Sequence, residues 1–132
     1  MGVPTRSRLL PDADAEYLDS KIRRFSEKVV GGWVHIIIHD FPLPGVYTPG
    51  SCDLLVRLPA GYPNASPDMF WTRPDVRLAT GNWPTTADVR ESFDGESWQQ
   101  WSRHFPPNGW RPGVDTLQTF LMTIRQELAK GL

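Results

Sequence analysis

The sequence predicts a single α+β domain, with one helix near each end and a β-meander between them. Three observations carry this reading. Apolar residues recur at spacings of three and four across residues 13–29 and again across 115–129. Between these stretches lie short runs that are β-branched or strictly alternating. A chain of 132 residues, 39% hydrophobic and 22% charged, suits one globular domain with one core.

In chain order, residues 13–29 set Ala15, Leu18, Ile22, Phe25 and Val29 on one helical face. Lys21, Arg23, Arg24 and Lys28 stand opposite, as a basic surface that an acidic patch on a partner would fit. Gly31-Gly32 ends this helix. "WVHIIIHDF" (33–41) reads as a strand, and "FPLPGVYTPGS" as a turn-rich connection. "CDLLVRL" (52–58) alternates, with Cys52, Leu54, Val56 and Leu58 on one side, and "DMFWT" (68–72) is a short third strand. From 73 to 113 no period appears, and an irregular stretch of that length in a small domain is commonly functional. Asp115 and Gln118 make a capping-box pattern that opens the final helix, with Leu117, Phe120, Leu121, Ile124 and Leu128 on its stripe. No repeat and no linker divides residues 1–132.

Charge and composition exclude several classes. A net charge of −1 with scattered basic residues gives no footprint for nucleic acid or for an anionic membrane. No run is apolar enough to span a bilayer, and "MGVPTRSRLLPDAD" lacks the apolar stretch of a signal peptide. Gly2 invites myristoylation, but Arg6 stands where that motif takes Ser or Thr. The single cysteine, Cys52, fits a reducing cytoplasm and reads as a core residue on the apolar side of its strand. Thirteen prolines set among six tryptophans point to ordered, rigid loops.

The middle of the chain is more specific. "YTPGSCDLLVRLPAGYPNASPDMFW" (47–71) resembles the signature of ubiquitin-conjugating enzymes. That family reads Y-x-G-G, an alternating strand, a phenylalanine-proline step, Y-P-x-x-P-P, and an apolar strand ending in an aromatic. Tyr47 and Gly50, Leu58-Pro59, Tyr62-Pro63 with Pro67, and Met69-Phe70-Trp71 match these elements in one ungapped register. Trp110-Arg111-Pro112 is similar to the family's W-x-P step before a helix, so the resemblance covers about residues 13–130. It implies the ubiquitin-conjugating (UBC-like) fold, an antiparallel meander flanked by an N-terminal and a C-terminal helix. The two further C-terminal helices of eukaryotic members have no counterpart. The compact bacterial branch is the nearest in form. It implies three partners in the cytoplasm: a ubiquitin-like modifier, an activating-enzyme-like protein and a metallo-isopeptidase. No cofactor is implied.

Two departures locate the question of chemistry. Where the family carries His-Pro-Asn, this chain has Arg73-Pro74-Asp75, and the family's catalytic cysteine is missing. In short family members that cysteine precedes the W-x-P tryptophan by eight residues, a position held here by Ser102. The stretch 81–100 then reads as an insertion. A serine there would take the modifier's C-terminus as an oxyester in place of a thioester. The hydroxyl needs a base, and His104, two residues on, has a suitable pKa range. Arg103 is the candidate for stabilising the oxyanion. In an extended segment, however, Ser102 and His104 share one side and Arg103 takes the other. Two functions stay open: an acyl transferase carrying the modifier, or an inactive variant of the fold that binds the modifier or its activating enzyme.

Other signals are weaker. His35 and His39 share a strand face but stand roughly 13 Å apart by strand rise, too far to share a metal ion. "VRESFDGES" (89–97) reads as a solvated loop, from which Asp94, with Asp88 just before it, would reach His104 if the loop folds back. No phosphate-binding glycine loop is present in the sequence.

Overall fold

A computed structural model describes residues 9–104 and 109–132. Helix α1 (Asp12–Tyr17) continues into a π-helical turn, Leu18–Ile22, and the chain reverses at Arg23, whose φ is 68°. Strands β1 (Phe25–Val30), β2 (Trp33–Pro42), β4 (Ser51–Leu58) and β5 (Phe70–Arg73) form an antiparallel meander. Strands β7 (Val89–Phe93) and β8 (Glu96–Trp101) extend it, giving a six-stranded sheet in the order β1-β2-β4-β5-β8-β7. Two short strands, β3 (Tyr47–Thr48) and β6 (Arg77–Leu78), pair separately. Helix α2 (Leu117–Ala129) closes the chain. The fold is the α+β, UBC-like arrangement that the motifs imply.

Four sequence expectations are corrected. The first helix does not reach residue 29, because Phe25, Val29 and Val30 belong to β1. Gly31-Gly32 is therefore no helix stop but the two-residue turn of the β1–β2 hairpin. Their φ values of 58° and 83° make it the turn whose twist matches paired strands. The basic set breaks apart with the helix. Lys21 stays in the π turn, Arg24 pairs with Asp40, and Lys28 on β1 pairs with Asp94 at 2.8 Å. No single helical face carries all four. Finally, α2 is capped by Thr116 and Thr119, one residue later than expected, while Asp115 accepts from the Arg111 amide at 2.7 Å.

The segment 73–113 also holds more order than its sequence suggests. Asp94-Gly95, with φ values of 52° and 79°, turns β7 into β8. Tryptophans 98 and 101 bury themselves on opposite faces of the sheet. The stretch 89–97 is thus a hairpin rather than a loop.

The sheet packs its two faces unequally. On one face, Ile36, Ile38, Leu54 and Val56 meet α2 residues including Leu121 and Ile124, with Leu18 of the π turn and Trp101. Asp14 ties the layers together: it is 3% exposed, accepts from Tyr62 Oη at 2.5 Å and from the Leu117 amide at 3.1 Å. Burial, with the Asp14 bond behind it, pushes the Tyr62 phenol well above its ordinary pKa. The other face bears a smaller cluster, Ile37, Leu55, Trp71 and Trp98, with Met69 and Phe93 against it and, among the described residues, no helix.

His35 lies on that second face. It is buried, and its Nε2 accepts from Arg57 Nε at 3.1 Å, so the ring is neutral. Burial, then the charges of Arg57 and Lys28, lower its pKa from 6.5 to about 4. A depressed histidine contributes its full stability above the unfolded value and loses it as pH falls toward the folded one. Unfolding free energy should thus drop by about 2 kcal/mol between pH 7.5 and pH 5. His35→Gln should remove most of that slope in chemical denaturation. A wild-type stability that is flat over this window would refute it.

Candidate functional site

Ser102 follows the last residue of β8, and β8 is held beside β5 by the Phe70–Trp101 pairing. The strand alternation sends Trp101 into the helix-covered core, so Gln100 and Ser102 fall on the opposite side. Ser102 is half-buried. Its amide donates to Thr86 O at 3.0 Å and its hydroxyl donates to Gln100 Oε1 at 3.0 Å. Gln100 is itself oriented by donating to Glu91 Oε1 at 2.8 Å, and that same carboxylate oxygen accepts from Trp71 Nε1.

His104 is exposed, with Nδ1 2.7 Å from Asp68 Oδ2. This is the arrangement that orients an imidazole and steadies it when it takes up a proton. Asp68 is a residue the sequence reading missed as a site member. It was assigned to a strand that in fact begins at Phe70, and thirty-six positions separate it from His104. Of the expected carboxylates, Asp94 is at the far hairpin turn with Lys28. Among the described residues no hydrogen bond joins Ser102 to His104. Residues 105–108, part of the tryptophan- and proline-rich run, lie outside the described residues.

Arg103 turns the other way, as alternation requires. It is 8% exposed, lies over the Trp101 ring, and donates to the carbonyl oxygens of Thr85 and Leu132, the latter at 2.6 Å. Its Nε and Nη2 are used inside the fold, and Nη1, buried without a hydrogen bond among the described residues, lies 3.8 Å from Glu127 Oε1.

The other family positions are divided between two ends of β5. Trp110 packs on Tyr62 and donates Nε1–H to Pro63 O at 2.9 Å, so the W-x-P and Tyr-Pro elements meet. Arg73-Pro74-Asp75 leaves β5 at its far end, roughly 10 Å from the Phe70 end by strand rise. There Arg73 bonds Asp53 and Glu96, and Asp75 pairs with Arg90. The structure therefore does not bring Asp75 to Ser102. Cys52 is 4% exposed on β4, and burial, with Asp53 adding to it, pushes its thiol up to about 12, which leaves it neutral and unreactive.

A cleft of about 370 Å³ runs over the helix-free face to this site, lined by Trp33, Arg57, Trp71, Asp68, Glu91 and Gln100 among others. Arg57 lies against Trp33 and Phe93, 4.4 and 4.1 Å from their ring centroids. Among the described residues no group of three or more His, Cys, Asp or Glu is placed to hold a metal ion, and no helix is long and apolar enough to cross a membrane.

No curated protein and no solved structure matches the chain. A family model described as Prokaryotic E2 family E matches residues 10–131, and with it the meander, the Tyr-Pro turn and the W-x-P step that the geometry assembles. The chain belongs to this prokaryotic family of E2-like proteins, built on the ubiquitin-conjugating fold.

Proposed function

We propose that this protein carries a bacterial ubiquitin-like modifier as an oxyester on Ser102, received from an activating-enzyme-like protein and passed on by acyl transfer. Family membership supports the conjugating role. What supports the serine assignment is the family position of Ser102, eight residues before Trp110, together with the His104–Asp68 pair and the bond from Ser102 to Gln100, which lines the cleft as Asp68 does. The modifier's extended C-terminal tail fits such a cleft, with the Arg57 guanidinium and the Gln100 amide as polar contacts along it. His104 Nε2 is the base. Reaching the hydroxyl requires the Ser102 bond to Gln100 to break, which acyl binding at Ser102 would drive. A metallo-isopeptidase of the same pathway would return the modifier from its targets, and the setting is the cytoplasm.

The test is incubation with activating enzyme, ATP and modifier. A covalent adduct is expected that resists reducing agents, which cleave thioesters, and yields to hydroxylamine or mild alkali. The Ser102 bond to Gln100 and the inward-facing Arg103 favour a second reading, a binding module without catalysis. Tight non-covalent binding of modifier or activating enzyme with no adduct would establish that reading and exclude the first.

A further inference from the structure

The helix-free face holds a second constellation that the Ser102 site does not use. Ser26 on β1, His39 on β2 and Asp53 on β4 come together across three neighbouring strands. The register sets Ser26 opposite Ile37 and Asp53 opposite Arg73, and the irregularity between Ile38 and Phe41 brings His39 into line with both. Ser26 Oγ is 2.8 Å from His39 Nε2, and His39 Nδ1 is 3.3 Å from Asp53 Oδ1. Asp53 Oδ2 accepts from Arg73 Nε at 3.1 Å. Arg73 is itself fixed by Glu96 at 2.8 Å and by the Trp98 ring, 4.3 Å from its guanidinium carbon.

One tautomer satisfies the whole chain. Nδ1–H donates to Asp53, which leaves the Nε2 lone pair to accept from the Ser26 hydroxyl. That is the connectivity of a serine nucleophile, its base and the carboxylate that orients the base, recognised by geometry and not by order in the sequence. Ser26 is exposed, so a substrate can reach it. Asp53 and Arg73 also line an open cleft of about 420 Å³ with Asp40, Ser51, Cys52 and Pro74, on the carboxylate side of His39.

We propose that Ser26, His39 and Asp53 form a hydrolytic site for small activated esters, separate from the conjugation site. Ser26 Oγ bonds the carbonyl carbon while its proton passes to His39 Nε2. The ester C–O bond then breaks, and the leaving oxygen takes the electron pair and that proton. Water repeats the sequence: it gives a proton to His39, its oxygen bonds the acyl carbon, and Ser26 departs with its proton restored as the carboxylic acid is released. Ser26 and His39 are the catalytic residues. Asp53 is a positioning residue, and Arg73 holds Asp53. Ser26 lies within a regular strand, where successive N–H groups point to opposite edges and do not converge on one oxygen. With no convergent donor pair for an oxyanion, the substrate class narrows to esters whose leaving group is a stable anion.

The probe is p-nitrophenyl acetate, followed by p-nitrophenol release and by mass mapping of the acetylated protein. Acetyl is expected on the peptide carrying Ser26, and Ser26→Ala should lose it. His39→Ala should slow turnover by about 10²-fold, and His39→Gln likewise. Asp53→Asn should slow turnover and displace its pH profile while leaving the circular dichroism spectrum unchanged. Ser102→Ala and His104→Ala should leave all of this intact, so the two sites fail or stand separately. Turnover that persists in Ser26→Ala, or acetyl found solely on amines, overturns the proposal.

Discussion

Gln99→Ala should lower the unfolding free energy by about 4 kcal/mol, a large share of what holds a domain of this size together. Gln99 is 1% exposed on β8, and both ends of its amide are used. Oε1 accepts from Thr72 Oγ1 at 3.0 Å and from the Val76 amide at 2.6 Å. Nε2 donates to the carbonyl oxygens of Val76 and Ala87, at 2.8 and 2.9 Å. One side chain thus satisfies main-chain groups of two irregular segments that have no ladder of their own. Truncation strands an N–H, the Thr72 hydroxyl proton and two carbonyls in the interior, each at about 1–3 kcal/mol, with entering water relieving part of the sum. Gln99→Glu keeps the shape but turns an acceptor toward two carbonyls, so it should be no milder. Chemical denaturation measures both. A loss under about 1 kcal/mol would mean that the segments around Val76 and Ala87 are held by packing alone.

Gln99 also shows where the sequence stops being informative. Its neighbours along the chain, "ESWQQW", alternate well enough for a strand, yet nothing local says that the first glutamine of the pair faces inward. That depends on which loops cross the sheet. The meander was legible because β2 and β4 carry their burial pattern in their own residues, and the Tyr-Pro and W-x-P elements fixed their order. The limits of the first helix were not. Helical spacing of three and four continues by coincidence through Phe25 and Val29, and the decision for a strand comes from pairing with β2. Two signals were present and outweighed. Gly31-Gly32 and Asp94-Gly95 are both hairpin dipeptides, and each sits between residues that pair across it. At the site, the inward position of Arg103 agrees with the alternation expected of an extended segment. Asp68 and the Ser26–His39–Asp53 line depend on distant strands coming side by side, which no spacing along the chain encodes.

Ser102→Ala should abolish the modifier adduct, and Ser102→Cys should restore one that reducing agents cleave. The pair separates a nucleophile from a surface that merely binds, because a binding role tolerates either change. His104→Ala should slow loading by about 10²-fold, the usual contribution of a positioned base to an alcohol nucleophile. The histidine is exposed and, among the described residues, bonds Asp68, so its removal should leave the fold and the unfolding free energy within about 0.5 kcal/mol of wild type. Asp68→Asn tests the orienting role. It preserves the hydrogen bond in shape while removing the carboxylate's charge, so loading should slow while the circular dichroism spectrum stays unchanged. If Ser102 is the nucleophile without help from the histidine, Ser102→Ala loses the adduct while His104→Ala and Asp68→Asn load at the wild-type rate. An adduct of full strength in Ser102→Ala would remove the serine from the mechanism altogether. With Cys52 buried and its thiol neutral at any working pH, that adduct would have to be sought on another hydroxyl or on an amine.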